Sequence, residues 1–222
     1  MKSRHLKIPF ECISRADRMN DEIINLLAEM GCMRLWIGSE SGSQPVLDAM
    51  DRKTSVKAVQ KMTHALQNRG IETGMFIMLG YEGETEADLQ ETVNHLKTAN
   101  PDIFLTTVAY PIKGTAYYHQ VKDRIIPPGQ WENYTDRDLI VAGRHSRRYY
   151  SFATRYMVNS VNLHRMRSDK NGGWKKLPRI AKTAANVAAG RIGMAMTRHE
   201  IEGKNTPAGR GWYDEQRESP AG

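Results

Sequence analysis

Between residues 7 and 110, short runs of apolar residues alternate with longer stretches in which apolar positions recur every three or four residues. The short runs are typical of buried strands, and the longer stretches are typical of amphipathic helices. The predicted strands are Lys7 to Ile13, Cys32 to Gly38, Ile71 to Leu79 and Asp102 to Ala109. Strands joined by helical crossovers run parallel, so their carboxyl ends share one side of the sheet, where ligands bind in such folds. The pattern therefore predicts an α/β fold with a ligand site at that side.

Helix boundaries are marked by residues that satisfy the backbone groups left free at helix ends. Asn20 predicts the start of the first helix and Gly31 its end. Thr54 predicts the start of the second helix, and Thr85 with Asp88 matches a capping box at the start of the third. These signals support three helical crossovers between the four strands.

The alternation of strands and helices stops after Tyr110. Pro127-Pro128-Gly129 marks a boundary, and helices are predicted from Asp136 to Ser168 and from Trp174 to about Met196. Glycine, proline and charged residues dominate the end of the chain. We therefore predict three regions: residues 1–126 with the strands, a basic helical extension over residues 127–202, and a disordered tail over residues 203–222.

The net charge of +7 is unevenly distributed. Residues 144–210 contain 15 Lys and Arg against three acidic residues, whereas the rest of the chain carries a net charge of −5. The arginines interleave with Tyr149, Tyr150 and Tyr156, which fits RNA because arginine binds phosphate and aromatic rings stack on bases. The second predicted helix, with an apolar stripe and flanking basic residues, also fits an anionic membrane surface. Solvated faces, packing against the strand region or a protein partner are equally open interpretations.

No apolar stretch reaches the roughly 20 residues that cross a bilayer, and Met1 to Phe10 lacks the apolar core of a signal peptide. We therefore expect a cytoplasmic location. The two cysteines, Cys12 and Cys32, form no disulfide framework and do not have the spacing of a metal site. Both are expected to be small buried residues.

Polar and small residues gather after the first three predicted strands, where a parallel sheet opens onto its ligand site. These segments are Ser14-Arg15, Gly38 to Ser43 and Gly80 to Thr85. Glycine permits close backbone approach, and the carboxylate of Glu40 suits a vicinal diol such as ribose because it accepts two hydroxyl protons. The alternative is a pair of ordinary strand-to-helix turns, in which Ser43 and Thr85 act only as helix caps.

Three segments resemble radical S-adenosylmethionine (SAM) proteins: WIGSESGSQPVLDAM (Trp36 to Met50), GMFIMLGYEGETEADL (Gly74 to Leu89) and VAYPIKGTAYY (Val108 to Tyr118). They look like the fourth, fifth and sixth strand regions of the coproporphyrinogen oxidase, methylthiotransferase and cobalamin-binding types. The resemblance covers roughly Phe10 to Tyr118. It implies a partial (βα) TIM-type barrel with parallel strands over residues 1–126, followed by a helical C-terminal extension.

The family mechanism implies that a 4Fe-4S cluster donates an electron to SAM, and that the resulting 5'-deoxyadenosyl radical abstracts a substrate hydrogen. By position, the resemblance places the cofactor-binding residues at the strand ends. It implies that the ribose lies near Glu40 and Ser41, the adenine near Met78 and Gly80, the methionine carboxylate near Ser14 and Arg15, and the substrate near Tyr110 and Pro111. Ser39 and Tyr110 are also included among the cofactor-binding residues. Glu82 is included as a further cofactor-binding residue.

The family holds its cluster in a CxxxCxxC loop after the first strand, and no such loop occurs in this sequence. The first two strands of the family barrel also have no counterpart here. We therefore expect a fragment, a split protein or a degenerate homologue that is inactive alone, with the cluster and any cobalamin bound outside this chain. A missing N-terminal half or a partner chain is expected to cover the open edge of the barrel, because unpaired strands favour docking.

Two other functions fit the same residues. The chain could be a binding module, either a cluster-free module for SAM or a basic adaptor for RNA or membranes. It could also be an α/β enzyme without radical chemistry, in which Glu40 or Glu84 acts as the general base, although the three motifs contain no histidine.

Overall fold

A computed structural model of the protein describes residues 8–127, 135–169 and 176–203. Within those residues the strands are β1 (Phe10–Ser14), β2 (Cys32–Glu40), β3 (Glu72–Leu79), β4 (Ile103–Val108), β5 (Ile125–Ile126) and β6 (Ile140–Val141). The helices are α1 (Asp21–Met30), α2 (Gln44–Ala49), α3 (Val56–Gln67), α4 (Glu86–Ala99), α5 (Ala116–Val121), α6 (Arg147–Ser168) and α7 (Leu177–Thr197). Short 3-10 turns occur at Ala16–Arg18, Lys122–Arg124 and Asp136–Asp138.

The main sheet contains β1, β2, β3 and β4 in that order, and every neighbouring pair is parallel. The predicted α/β class and the parallel strands are therefore confirmed. Helices α1, α3, α4 and α6 follow one another over one face of the sheet and share one apolar core with it. That face buries Leu35, Ile37, Met75, Ile77 and Leu79, each at most 1% exposed. Apolar burial of this kind is the main favourable contribution to folding.

The opposite face of the sheet carries no helical layer among the described residues. Ile13 and Leu105 are 70% and 50% exposed on that face, and the rings of Trp36 and Phe76 stack with their centroids 5.0 Å apart. Gly74 leaves room for this stack, since a Cβ on it would lie 2.3 Å from the Trp36 ring. One face covered by helices and one open face lined by side chains are the arrangement of part of a TIM-type barrel.

Several predicted helix boundaries are confirmed. Asn20 accepts a hydrogen bond from the backbone amide of Ile23 at 2.8 Å and caps α1. Gly31 ends the same helix in the left-handed conformation, with a φ of 96°. Thr85 and Asp88 form the predicted capping box of α4.

Two predicted boundaries are wrong. β1 runs from Phe10 to Ser14 because Pro9 has no amide hydrogen for the sheet ladder; the predicted start, Lys7, lies outside the described residues. The cap of α3 is Ser55 and not Thr54, because the hydroxyl of Ser55 is the one that reaches the third helical amide, that of Ala58, at 3.1 Å.

The C-terminal part is less uniformly helical than predicted. The segment that begins at Asp136 forms a 3-10 turn and then β6, which pairs with β5 in an antiparallel ribbon. Helix α6 begins only at Arg147, where Ser146 accepts a hydrogen bond from the Tyr149 amide at 3.2 Å. The second predicted helix is present as α7, although Trp174 lies outside the described residues, as does the predicted tail after Gly203. The helical C-terminal extension is therefore confirmed with later helix starts.

Helices α6 and α7 pack closely because two glycines of α7 face α6. A Cβ on Gly190 would lie 2.8 Å from the Cα of Tyr156, and one on Gly193 would lie 2.3 Å from the Phe152 ring. The predicted apolar stripe of this helix coincides only in part with its packing face: Val187 packs against the core, whereas Leu177 is 60% exposed. The stripe consists of Leu177, Ile180, Ala181, Ala184, Val187 and Ala188. None of the described helices combines the length and apolar character needed to cross a membrane.

Candidate functional site

The end of β2 has an unusual backbone and a buried carboxylate. Glu40 adopts the left-handed conformation with a φ of 59° and is only 8% exposed. Arg52 donates a hydrogen bond from Nη2 to Glu40 Oε1 at 2.5 Å. Asp51 and Lys53, on either side of Arg52, also have positive φ values of 52° and 45°. Such conformations cost energy in residues other than glycine, and their clustering marks a segment whose shape is imposed by the surrounding fold.

Arg52 also connects Glu40 to the end of β1. Arg15 donates from Nη2 to the backbone oxygen of Arg52 at 3.2 Å, and it binds Asp17 through Nε at 2.9 Å. Burial raises the pKa of Glu40 above its ordinary value, while the positive charge of Arg52 opposes that rise. The guanidinium of Arg52 therefore favours the ionised carboxylate at the place where two strands end.

The end of β3 reaches the same segment. The hydroxyl of Tyr81 donates to the backbone oxygen of Ala49 at 3.2 Å, at the end of α2. The residues after β1, β2 and β3 thus meet around residues 49–53. Arg52 was not among the residues predicted from sequence, because the polar run Asp51-Arg52-Lys53 gives no sign of which strand end it contacts.

The serines at and just after the end of β2 face helix α4. The hydroxyl of Ser39 lies 2.9 Å from His95 Nε2, and that of Ser41 lies 3.1 Å from Thr92 Oγ1. The amide of Gly42 donates to the same Thr92 oxygen at 2.9 Å. The close backbone approach at Gly42 is therefore to α4, and both serine hydroxyls have partners inside the fold.

Ser43 does not use its side chain as a helix cap. Its hydroxyl donates to Asp88 Oδ1 at 2.5 Å, and no side-chain capping bond forms at the start of α2. The alternative in which this turn is only a capped helix start is therefore wrong for Ser43. Asp88, which also closes the capping box of α4, ties the two helix starts together.

We expect acid to destabilise the fold through His95. Burial lowers the pKa of His95 from 6.5 to about 4. Below pH 6.5 the unfolded chain therefore binds a proton at His95 that the folded chain does not bind. The contribution of neutral His95 to the free energy of unfolding is fully present above pH 6.5, and about 3 kcal/mol of it is lost as the pH falls toward 4. When unfolding in urea is measured between pH 6.5 and 4, the His95→Gln variant should not show this loss of stability. The control variant His64→Gln, changed at an exposed histidine, should show it as the unchanged protein does. If His95→Gln loses as much stability in acid as the unchanged protein, His95 is not the source of the acid sensitivity.

The remaining predicted residues at β1 and β3 are spread along the strand ends. Ser14 is half-buried at the end of β1 and contacts the backbone oxygen of Arg15 at 3.4 Å. Met78 is half-buried on the open face of the sheet, next to Thr107 in register. These two residues and Glu40 lie at the carboxyl side of the sheet, as predicted for ends of parallel strands.

Gly80, Glu82 and Tyr110 lie against the C-terminal part of the chain. A Cβ on Gly80 would lie 2.5 Å from the Tyr150 ring. Glu82 pairs with Arg124 at 2.7 Å, and the guanidinium carbon of Arg137 lies 5.8 Å from the centre of the Tyr110 ring. The structure therefore joins Arg15 and Glu40 through Arg52, and places Gly80, Glu82 and Tyr110 beside Tyr150, Arg124 and Arg137, respectively.

The two cysteines lie on the neighbouring strands β1 and β2, Cys12 in the middle of β1 and Cys32 at the start of β2. Their sulfur atoms are 3.9 Å apart, and burial together with Cys12 raises the pKa of Cys32 to about 12. Cys32 is therefore a neutral thiol at physiological pH. The described residues contain no group of three or more His, Cys, Asp or Glu placed to hold a metal ion.

The C-terminal tyrosines belong to the core. Tyr149, Tyr150 and Tyr156 are between 4% and 8% exposed, so their faces are not available to stack on bases. Arg148 pairs with Glu200 at 2.8 Å, and α6 packs on α4. Packing against the strand region is thus one role of this basic segment, and the RNA interpretation loses its stacking residues.

Residues 1–96 match the radical SAM superfamily. An uncharacterized methyltransferase of Pyrococcus horikoshii is 21% identical over 146 residues, which cover 65% of this chain and 32% of the relative. A tRNA-2-methylthio-N(6)-dimethylallyladenosine synthase of Clostridium novyi is 33% identical over 103 residues, which cover 44% of this chain and 22% of the relative. The radical SAM methyltransferase TsrM of Kitasatospora setae, solved with cobalamin and a 4Fe-4S cluster, aligns with a TM-score of 0.42 at 17% identity, over 46% of this chain and 20% of that one. The chain thus spans about a third or less of the length of these proteins.

Proposed function

Because the chain belongs to the radical SAM superfamily, we propose that it contributes the SAM-binding strand ends of a radical SAM enzyme. Members of this superfamily bind SAM together with a 4Fe-4S cluster. In this proposal the cysteines that hold the cluster lie outside the chain, which therefore has no activity alone. We further propose that the protein is cytoplasmic and that the complete enzyme uses cobalamin as a second cofactor.

The contact series Arg15–Arg52–Glu40 is the observation on which the proposal depends. It ties the ends of β1 and β2 together and holds the carboxylate of Glu40 in place at the end of β2. An ionised carboxylate accepts two hydrogen bonds from the vicinal hydroxyls of a ribose, and its fixed position reduces the cost of ordering on binding. SAM carries such a ribose.

The guanidinium group of Arg15 is already engaged in several hydrogen bonds within the protein. Two of its nitrogen atoms already donate to Asp17, at 2.9 and 3.0 Å, and Nη2 also donates to Arg52. For Arg15 to hold the methionine carboxylate, that carboxylate would share the guanidinium with Asp17. Glu40 and Arg52 are therefore the residues whose substitution tests SAM binding most directly.

The residues of this chain do not fit a 4Fe-4S cluster. Such clusters are held by several cysteine thiolates, whereas the whole sequence has two cysteines and burial keeps Cys32 protonated. The proposed role of this chain is accordingly to bind and orient SAM, which supplies the one-electron chemistry of the superfamily once cleaved by an external cluster.

SAM binding should depend on Glu40 and Arg52. In calorimetric titration of the purified chain, Glu40→Gln and Arg52→Gln are expected to weaken SAM binding by about tenfold or more, since each change removes a charge-assisted contact or its support. Lys53→Gln, which removes the same charge from a neighbouring residue with a 74% exposed side chain, should change the affinity less than twofold. Absence of heat with the unchanged protein, or equal weakening by all three substitutions, would rule out this site.

The need for an external cluster has a separate test. A CxxxCxxC-encoding segment in frame and directly upstream would support the proposal, and adding the corresponding polypeptide should restore reductive SAM cleavage under anaerobic conditions. A cluster-free SAM-binding module, the main alternative, would bind SAM equally well but would show no cleavage with that segment. SAM binding without restored cleavage would therefore favour the alternative.

A further inference from the structure

A cavity of about 490 Å³ lies beside β4, the last strand of the main sheet. It is bounded by the second half of β4, by residues 137–147 and by the first turns of α6. We call it the β4-edge cavity; the residues used below are Tyr110, Arg137, Arg144, Arg147, Tyr150 and Glu202. Its volume lies within the roughly 300–1,000 Å³ that is usual for small-molecule sites.

The lining of the β4-edge cavity is strongly basic. Arg137, Arg144 and Arg147 contribute three guanidinium groups, and Glu202 is the single carboxylate among its lining residues. None of the three arginines forms an ion pair with a carboxylate in the described part of the chain. By contrast, Arg52 and Arg124 each have a carboxylate partner, at 2.5 and 2.7 Å. The cavity thus combines three positive charges without a direct ion pair among the described residues, although Arg144 and Arg147 act at longer range on the carboxylates of Glu84 and Asp138.

Arg144 is the most constrained of the three arginines. It donates from Nη1 to the backbone oxygen of Ala109 at 2.6 Å and to the hydroxyl of Tyr117 at 3.3 Å. Its guanidinium carbon lies 5.4 Å from the centre of the Tyr150 ring. Its Nε and Nη2 atoms are buried and have no hydrogen-bond partner in the described part of the chain. Buried donors without partners are rare in folded proteins, and each one calls for an explanation such as a bound group.

The guanidinium groups of the other two arginines contact a main-chain oxygen and an aromatic ring. Arg147 donates from Nη2 to the backbone oxygen of Asp138 at 3.0 Å, and Arg137 lies over the ring of Tyr110. Both contacts orient the guanidinium groups, and neither contact is an ion pair with a carboxylate. Arginine matches carboxylate and phosphate groups with paired, parallel hydrogen bonds, which makes it the common residue for recognising oxyanions.

We propose that the β4-edge cavity binds a small organic oxyanion. Its carboxylate or phosphate group would meet Arg137, Arg144 and Arg147, and its remaining part would pack beside Tyr110. This site is separate from the Arg15–Arg52–Glu40 contacts, so it stands whether or not the chain binds SAM.

The proposal can be tested by calorimetric titration at constant ionic strength with two probes, inorganic pyrophosphate and malonate. At least one probe should bind in a saturable way. Arg144→Gln is expected to weaken that binding about tenfold or more, and Arg137→Gln and Arg147→Gln several-fold each, because every change removes one charge-assisted contact. Arg179→Gln, which removes the same charge from the exposed side of α7, should leave it unchanged. The preferred probe then identifies the phosphate or the carboxylate as the recognised group.

Two results would overturn the proposal. The first is that neither probe binds in a saturable way. The second is that Arg179→Gln weakens binding as much as the cavity substitutions, which would mean general attraction of anions to a basic chain. Because Arg144 also holds Ala109, its variant is checked by circular dichroism; if it is unfolded, the exposed residues Arg137 and Arg147 decide the outcome.

Discussion

Replacing Gly42 by alanine is expected to destabilise the fold by about 3 kcal/mol or more, because the added methyl group has no space. A Cβ on Gly42 would lie 2.4 Å from the Cβ of His95, 2.5 Å from the Cα of Thr92 and 2.7 Å from the backbone oxygen of Glu91. Two of these atoms belong to the backbone of α4, so a side-chain rotation cannot relieve the overlap. The loss arises from contact alone, since Gly42 is not among the glycines with positive φ.

Urea unfolding of Gly42→Ala and Gly70→Ala measures the size of this effect. Gly70 is the matched control: its φ of +72° disfavours alanine, but a Cβ there would meet no atom within 4 Å. The control is therefore expected to lose only about 1 kcal/mol. Equal losses in the two variants would show that the approach of this turn to α4 is looser than described. Because Glu40 precedes this turn directly, SAM affinity should fall together with stability in Gly42→Ala.

Glu84→Gln is expected to remove a loss of stability that the unchanged protein shows as the pH rises from 4.5 to 7. Burial raises the pKa of Glu84 from 4.5 to about 7, so the folded chain retains a proton that the unfolded chain releases. The resulting stability is fully present below pH 4.5 and is lost as the pH rises through 7, by about 3 kcal/mol. Glutamine keeps the acceptor for the Gly80 amide, which lies 2.5 Å from Glu84 Oε2, and it cannot ionise.

The measurement is the difference in unfolding free energy between the two proteins at pH 5, 6, 7 and 8. That difference should shift in favour of Glu84→Gln as the pH rises. It isolates Glu84 from His95, which acts in the opposite direction below pH 6.5 in both proteins. The exposed substitution Glu91→Gln on α4 should show no such shift. If the difference in unfolding free energy between Glu84→Gln and the unchanged protein does not vary with pH, the prediction is wrong. Such a result would mean that Arg144, whose charge lowers the pKa of Glu84, keeps the carboxylate ionised.

The sequence predicted where the candidate site lies, but it did not predict which side chains contact one another there. Three polar segments after three predicted strands pointed to one edge of a parallel sheet, and the strand ends do lie there. Glu40 was predicted at that edge, but its partner Arg52 was not. That contact depends on the left-handed backbone at Glu40, Asp51 and Lys53, and residues other than glycine give little sequence signal for that conformation.

The sequence also did not predict which way the side chains of Ser39 and Ser41 point. Their position in the chain predicted hydroxyl groups at the site, whereas the structure directs Ser39 and Ser41 toward His95 and Thr92 of α4. Which way a side chain points at a strand end depends on the local register, and β2 has an irregularity between Gly38 and Glu40. A shift of one residue in a strand moves side chains to the opposite face.

The sequence by itself determined the α/β class, the parallel direction of the strands and the caps of α1 and α4, because periodicity and capping act over a few neighbouring residues. It also determined that this chain holds too few cysteines for a 4Fe-4S cluster. Only the tertiary structure decided that Arg52 joins β1 to β2, that the C-terminal tyrosines are buried and that three arginines share one cavity. These features come from residues far apart in the chain, and local preference carries no information about which distant side chains meet.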